Sequence, residues 1–234
     1  LAQQMQQPLQ LTPAYRKQAI ALLRPYVTDN KMQVFEACLA QRTRYITVVL
    51  EDIYQPQNAS AVLRSCDCFG IQDVHVIEND HAYDINPKVV HGASKWMHIH
   101  KYFEEDFNTE RCLRGLKERG YQLVATSPRA DSIPIHDFPL DRPIALMMGT
   151  EKRGLSDFAF DMADALVTIP MVGFTESLNI SVSAAICLQN LTHRMRQSDF
   201  QWQLSDDERE DLQLEWMRKV VKDAERIERR FIGG

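Results

Sequence analysis

A chain of 234 residues, 44% apolar and 25% charged, can bury a sizeable core, as one domain with extensions or as two small domains. No apolar run approaches the roughly 18 residues that cross a bilayer and no secretory signal pattern opens the chain, which argues against membrane and exported classes. A net charge of −5 speaks against a generic nucleic-acid binder, and five cysteines without a C-x-x-C pair speak against a disulfide framework or zinc site, so a reducing cytoplasm is expected. The charge is unevenly placed. Residues 1–50 hold Arg16, Lys17, Arg24, Lys31, Arg42 and Arg44 against Asp29 and Glu36, which is +4, so the remaining 184 residues carry −9. A basic N-terminal segment on an acidic body predicts a localised anionic contact, such as RNA phosphate.

In chain order, the Gln-rich start from Leu1 to Gln7 is expected to be a tail. Thr12-Pro13 is an N-cap followed by proline at the first helical position, which predicts a helix to about Leu23. A second helix is expected from Asp29 or Asn30 to Ala40, burying Met32, Phe35 and Leu39. From Tyr45 the texture becomes βαβ. Ile46 to Leu50 is a continuous apolar run, as in a central parallel strand. Asn58 to Phe69 reads as a helix capped by Asn58, and Val74 to Ile77 as the next strand. A strand within Lys95 to Tyr102, a helix over 108–119 and the strand Tyr121 to Thr126 follow. Then come the strand Ile144 to Met148, a short helix over 156–163, the strand Ala165 to Ile169 and a helix from Ile180 to about Arg196. The alternation predicts a mostly parallel sheet covered by helices on both faces. Ser205 and Glu208 form a capping box that opens a last helix, with Leu212, Trp216, Val220, Ala224, Ile227 and Phe231 along one side.

Three stretches carry punctuation that folding alone does not demand. In the first, Asn58 to Gly70, Arg64 sits on a mostly apolar helix. It either pairs with Asp67 at i+3 or faces an anion. The second, Leu146 to Ser156, follows the carboxyl end of an apolar strand, where open α/β sheets bind ligands. Gly149 and Gly154 have P-loop spacing, but Leu155 stands where the phosphate-binding lysine belongs. No G-x-G-x-x-G is present, and none of the seven histidines has metal-ligand spacing with acidic partners. The third stretch, Ile169 to Ala185, runs from a strand through a polar knuckle with Ser177 and Asn179 into a buried helix.

In this order and spacing, N-x-S-A-x-x-R-x-x-D-x-x-G, L-M-M-G-T-E-K-R-G-L-S and I-P-M-x-G-x-x-x-S-L-N-x-S-V-x-A-A resemble the three motifs of the SpoU (TrmH) family of RNA 2′-O-methyltransferases. The match covers about residues 45 to 196. The resemblance implies an α/β fold with a C-terminal deep trefoil knot over 45–198, a helical N-terminal extension over 1–44 that contacts RNA, and a helical C-terminal extension over 199–234. It implies S-adenosylmethionine in the knot at Thr126, Gly149, Ile169 and Leu178. Glu151, Ser177 and Asn179 line the site, with Asn58 and Arg64 on the RNA side. Arg16, Lys17, Arg24, Arg42, Arg44, Arg194 and Arg196 form the expected phosphate track. A cytoplasmic homodimer without metal is implied, acting on guanosine 18 of the tRNA D-loop. The alternatives are ribosomal RNA or the tRNA anticodon loop as substrate, or a non-catalytic RNA-binding protein of the same fold.

Overall fold

The apolar run that begins at Ile46 becomes the middle of a parallel sheet. The computed structural model describes residues 12–53, 55–80, 92–103, 107–129, 131–150, 153–175 and 177–232. They divide into two compact units, Arg42–Gln203 and the N- and C-terminal helical segments, residues 12–41 with 204–232.

The larger unit holds strands β1 (Ile46–Glu51), β2 (Asp73–Ile77), β3 (His98–Tyr102), β4 (Gln122–Thr126), β5 (Ile133–Pro134), β6 (Ile144–Met148) and β7 (Ala165–Thr168). All pair in parallel in the order β3-β2-β1-β6-β4-β7-β5. The two-residue β5 was not expected, being too short to show a periodicity. Because side chains alternate across a strand, β1 and β6 feed two cores. Val48, Leu50, Leu146 and Met148 pack with α3 (Pro56–Cys68) and α6 (Ile180–Arg196). Val49, Ala145 and Met147 pack with α4 (Asn108–Glu118) and α5 (Asp157–Met162) on the other face. Each fully buried Leu or Ile here contributes about 1.5–3 kcal/mol.

The smaller unit comprises α1 (Pro13–Leu23), α2 (Asp29–Leu39), α7 (Asp206–Val220) and α8 (Ala224–Ile232). Thr12, Thr28 and Ser205 cap the first three, and the Ser205–Glu208 capping box is present. The single last helix expected from the sequence is two. Val221 is extended and Asp223 is left-handed (φ 57°), a conformation Asp tolerates better than most residues. Leu212, Trp216 and Ala224 of the expected stripe are buried; the side chain of Phe231 lies outside the described residues. Trp216 meets Phe35 edge-on at 5.5 Å, and buried Glu228 accepts hydrogen bonds from Tyr15 (2.9 Å) and Arg218 (2.8 and 2.6 Å).

At the amino end of β2 and β3 the fold assembles a polar cluster. Asp73 accepts from Arg44 Nε at 2.7 Å and bonds His100 at 2.7 Å, with His98 3.4 Å away. The reading that no histidine has metal-ligand spacing with an acidic partner is corrected here: Asp73 meets His98 and His100 through the pairing of β2 with β3, which local spacing does not show. Arg44 bonds one oxygen of Asp73, and the two imidazoles face the other. Burial alone would raise the Asp73 pKa, but the bonds from His100, His98 and Arg44 hold it well below the usual carboxylate range. Beside it, His75 stacks on His100 at 4.6 Å, and burial, with repulsion from His100 and Arg119, pushes its pKa down from 6.5 to about 3. The depressed Asp73 value favours the folded state at neutral pH, whereas the depressed His75 value leaves neutral pH untouched and costs stability only in acid. As pH falls below 6.5 the unfolded chain takes up a proton that folded His75 refuses. Stability should therefore drop by about 1.4 kcal/mol per pH unit from this group down to pH 3. Denaturant titrations between pH 7 and pH 4 measure this slope, and His75→Phe should flatten it.

Candidate active site

Strands β6, β4 and β7 lie side by side and end together. Beyond their carboxyl ends the loops after them and the start of α6 enclose a cleft of about 410 Å³. Thr126, Gly149, Ile169 and Leu178, the four expected cofactor positions, all line it, as does Ser177. Thr126 comes from the end of β4, and its hydroxyl donates to the Met147 carbonyl at 3.1 Å. Met148, Val167 and Ile180 give the walls apolar surface, while exposed chain ends at three strands offer backbone donors and acceptors. That mixture suits a nucleoside-bearing ligand of ordinary small-molecule size.

The loop after β6 is folded tightly back on itself. Thr150 and Gly154 exchange backbone hydrogen bonds at 3.0 and 2.9 Å, and Gly154 is left-handed (φ 72°). A Cβ on Gly149 would lie 2.1 Å from the Gly154 carbonyl carbon, so this position admits only glycine. Glu151, on the same loop, lies outside the described residues.

The knuckle after β7 carries Ser177 and Asn179 into α6. The Asn179 side chain caps α6, accepting from Ser181 N at 2.9 Å. Its amide donates to Asn58 Oδ1 at 3.0 Å, across 121 residues of chain. Asn58 in turn donates to Gln55 Oε1 at 2.8 Å. The reading of Asn58 as the cap of α3 is corrected: Gln55 holds that place, with Pro56 in the first turn, and Asn58 joins α3 to α6 instead. Arg64 is exposed on α3 and, among the described residues, has no hydrogen-bond or ion-pair partner. Asp67, one of the two partners the sequence allowed it, is engaged by Arg42. Arg64 and Asn58 are not among the cleft-lining residues. Six residues along a helix they differ by about 9 Å in height and lie on different sides.

Residues 45–189 match the model of the SpoU rRNA methylase family. The chain belongs to the SpoU methylase family. A tRNA (guanosine(18)-2′-O)-methyltransferase of Borreliella burgdorferi is 42% identical over 209 residues, 89% of this chain and 94% of that one. One from Thermus thermophilus is 34% identical over 163 residues, 69% of this chain and 81% of that one. The crystal structure of the A. aeolicus TrmH/SpoU tRNA modifying enzyme superposes with a TM-score of 0.73 at 26% identity, covering 83% of this chain and 98% of that chain.

In this SpoU methylase most of the expected phosphate track is occupied internally. Arg16 is buried and forms ion pairs with Asp207, Glu210 (2.9 Å) and Asp211 (2.9 Å). Arg24 pairs with Asp29 and donates to the Val27 carbonyl at 2.9 Å. Arg42 is buried against Asp67 and the Ile71 carbonyl (3.0 Å), and Arg44 holds Asp73. Arg194 donates to the carbonyls of Ile135 (3.0 Å) and Phe138, and Arg196 to that of Phe69 (2.9 Å). Lys17 is exposed and without a partner among the described residues. Charge counting could not foresee this, because the carboxylates that hold Arg16, Arg42 and Arg44 are all distant in sequence.

Two cations that the sequence reading passed over stand at the cleft itself. Arg129 lies over the Phe160 ring at 4.3 Å, and Arg153 is highly exposed, with Asp80 3.9 Å away. Arg153 was within a quoted motif; Arg129 had no local signal.

Proposed function

We propose that this chain transfers a methyl group from S-adenosylmethionine to the ribose 2′-hydroxyl of guanosine 18 in the D-loop of tRNA. The observation that carries the reading is the convergence of Thr126, Gly149, Ile169 and Leu178, from separate segments, on one cleft at the sheet's carboxyl edge. The relatives named above supply the substrate. We further infer that the chain beyond β7 threads a loop to form a trefoil knot. Cytoplasmic action is part of the same reading; the five cysteines are free thiols, and among the described residues no helix is long and apolar enough to cross a membrane.

When bound, the cofactor supplies an electrophilic methyl on a sulfonium. The protein's part is to hold the hydroxyl in line with it, and such positioning supplies much of the acceleration. The loop from Gly149 to Ser156, which carries Glu151, and the knuckle with Ser177 and Asn179 shape the cofactor side. Arg64 serves the RNA side. A guanidinium group makes a poor base, so Arg64 orients the hydroxyl and stabilises the developing alkoxide rather than removing the proton.

Because Arg64 lies off the cleft of its own chain, the reading requires a homodimer in which each site is completed across the interface. An apolar surface suits that role. Val172 and Phe174 are fully exposed, and Val182 and Ile186, one turn apart on α6, are 45% and 38% exposed. RNA phosphates are assigned to Lys17, Arg129 and Arg153, not to the internally paired arginines. Binding should weaken steeply with salt, as phosphate contacts release counterions.

Purified protein, labelled S-adenosylmethionine and unmodified tRNA and ribosomal RNA transcripts test the reading. Label recovered as 2′-O-methylguanosine in the D-loop is the expected result. Label in ribosomal RNA or the anticodon loop would replace the substrate. Cofactor binding with no transfer to either RNA would leave a non-catalytic binder.

A further inference from the structure

Glu51 closes β1, and its carboxylate is buried, only 3% exposed. Its predecessor Leu50 pairs with Met148, so Glu51 stands beside the point where β6 gives way to the cleft loop. A buried charge must be paired or fully hydrogen-bonded. Here the described partners are all uncharged donors. Oε2 accepts from the Ser156 backbone N–H at 2.8 Å, and Oε1 accepts from Ser156 Oγ at 2.8 Å and Thr109 Oγ1 at 2.7 Å. Thr109 Oγ1 accepts in turn from Asn79 Nδ2 at 2.9 Å. Three donors converging on one buried carboxyl group leave it and its partners little freedom to move.

The bonds are aimed at one place. Ser156 is the last residue of the cleft loop, and its hydroxyl also caps α5 by accepting from Ala159 N at 3.2 Å. The other end of the loop is closed by the Thr150–Gly154 pair, and Gly149, Thr150, Arg153 and Gly154 all line the cleft. Glu51 itself does not line it. We propose that Glu51 is a positioning residue for methyl transfer. Through Ser156 it holds the far end of the Gly149–Ser156 loop from beneath, in the shape that receives the cofactor. The inference rests on the reading that S-adenosylmethionine occupies this cleft.

The test measures S-adenosylmethionine dissociation constants by calorimetry, both Michaelis constants and thermal midpoints for full-length wild type, Glu51→Gln, Ser156→Ala and the double variant. Glu51→Gln replaces one of the two acceptor oxygens by an amide donor, which then faces either the Ser156 N–H or the hydroxyls of Ser156 and Thr109. It should weaken cofactor binding and raise the cofactor KM roughly tenfold, the scale of one mispaired buried group. The KM for tRNA should stay unchanged, a split that general destabilisation would not produce. Ser156→Ala should act in the same direction, and the double variant should be no worse than Glu51→Gln alone. Wild-type cofactor affinity in folded Glu51→Gln, or fully additive losses, would overturn the proposal. If Glu51→Gln does not fold, Ser156→Ala decides, and wild-type affinity there overturns it. Failure of the wild-type protein itself to bind S-adenosylmethionine would instead overturn the reading of the cleft beneath it.

Discussion

Gly149→Ala is expected to abolish cofactor binding and methyl transfer while leaving most of the protein folded. The added methyl would sit 2.1 Å from the Gly154 carbonyl carbon and 2.3 Å from Leu155 N, and both are backbone atoms with no rotamer to yield. The loop must open, and with it go Thr150, Arg153 and Gly154, which frame the cleft. A displacement of about 1 Å can cost a hundredfold in rate, so a loss of at least that size should appear in kcat/KM. Gly154→Ala makes the informative contrast. Nothing lies within 4 Å of its Cβ position, so only its left-handed φ of 72° is penalised. That strain is worth about 1–2 kcal/mol, and the variant should keep measurable activity. Calorimetric titration of both variants with S-adenosylmethionine separates the cases. Near-wild-type affinity in Gly149→Ala would mean that the loop does not shape the cofactor site.

Arg64→Lys is expected to lower turnover by about two orders of magnitude, the scale seen when one donor to a developing oxyanion is removed. Lysine keeps the positive charge but loses the planar fork that can hold a ribose oxygen and a phosphate together. Arg64 is exposed and, among the described residues, unpaired, and it lies off the cleft. The substitution should therefore leave the thermal midpoint and S-adenosylmethionine affinity unchanged. Single-turnover rates at saturating cofactor and tRNA measure the chemical step directly. A rate within threefold of wild type would remove Arg64 from the catalytic account. Loss of stability would return it to a structural role.

Much of the fold was legible in the sequence. The limits of β6 and α6 match those read from Ile144 to Met148 and from Ile180 to Arg196. Long apolar runs and punctuation by glycine and polar caps are local signals, and a buried parallel strand leaves little else for such a run to become. What stayed hidden was contact between distant segments. Arg16 read as a free cation because its three acidic partners lie about 190 residues away. Asn58 read as a helix cap because the side chain it meets, Asn179, is 121 residues further on. Glu51 carried no signal at all, since its partners Thr109 and Ser156 are 58 and 105 residues removed. The split between α7 and α8 was missed for the opposite reason. A left-handed Asp223 leaves the apolar residues recurring every three or four positions, so periodicity sees one helix.

The central claim concerns one oxygen atom, the 2′-hydroxyl of guanosine 18. The most direct measurement compares a tRNA transcript with the same transcript carrying 2′-deoxyguanosine at that nucleotide alone. Both are incubated with the protein and methyl-labelled S-adenosylmethionine, and transfer is followed to completion. The account predicts one methyl group per unmodified tRNA and none on the deoxy-substituted molecule, although the latter should still compete for binding. Equal labelling of the two transcripts would contradict it.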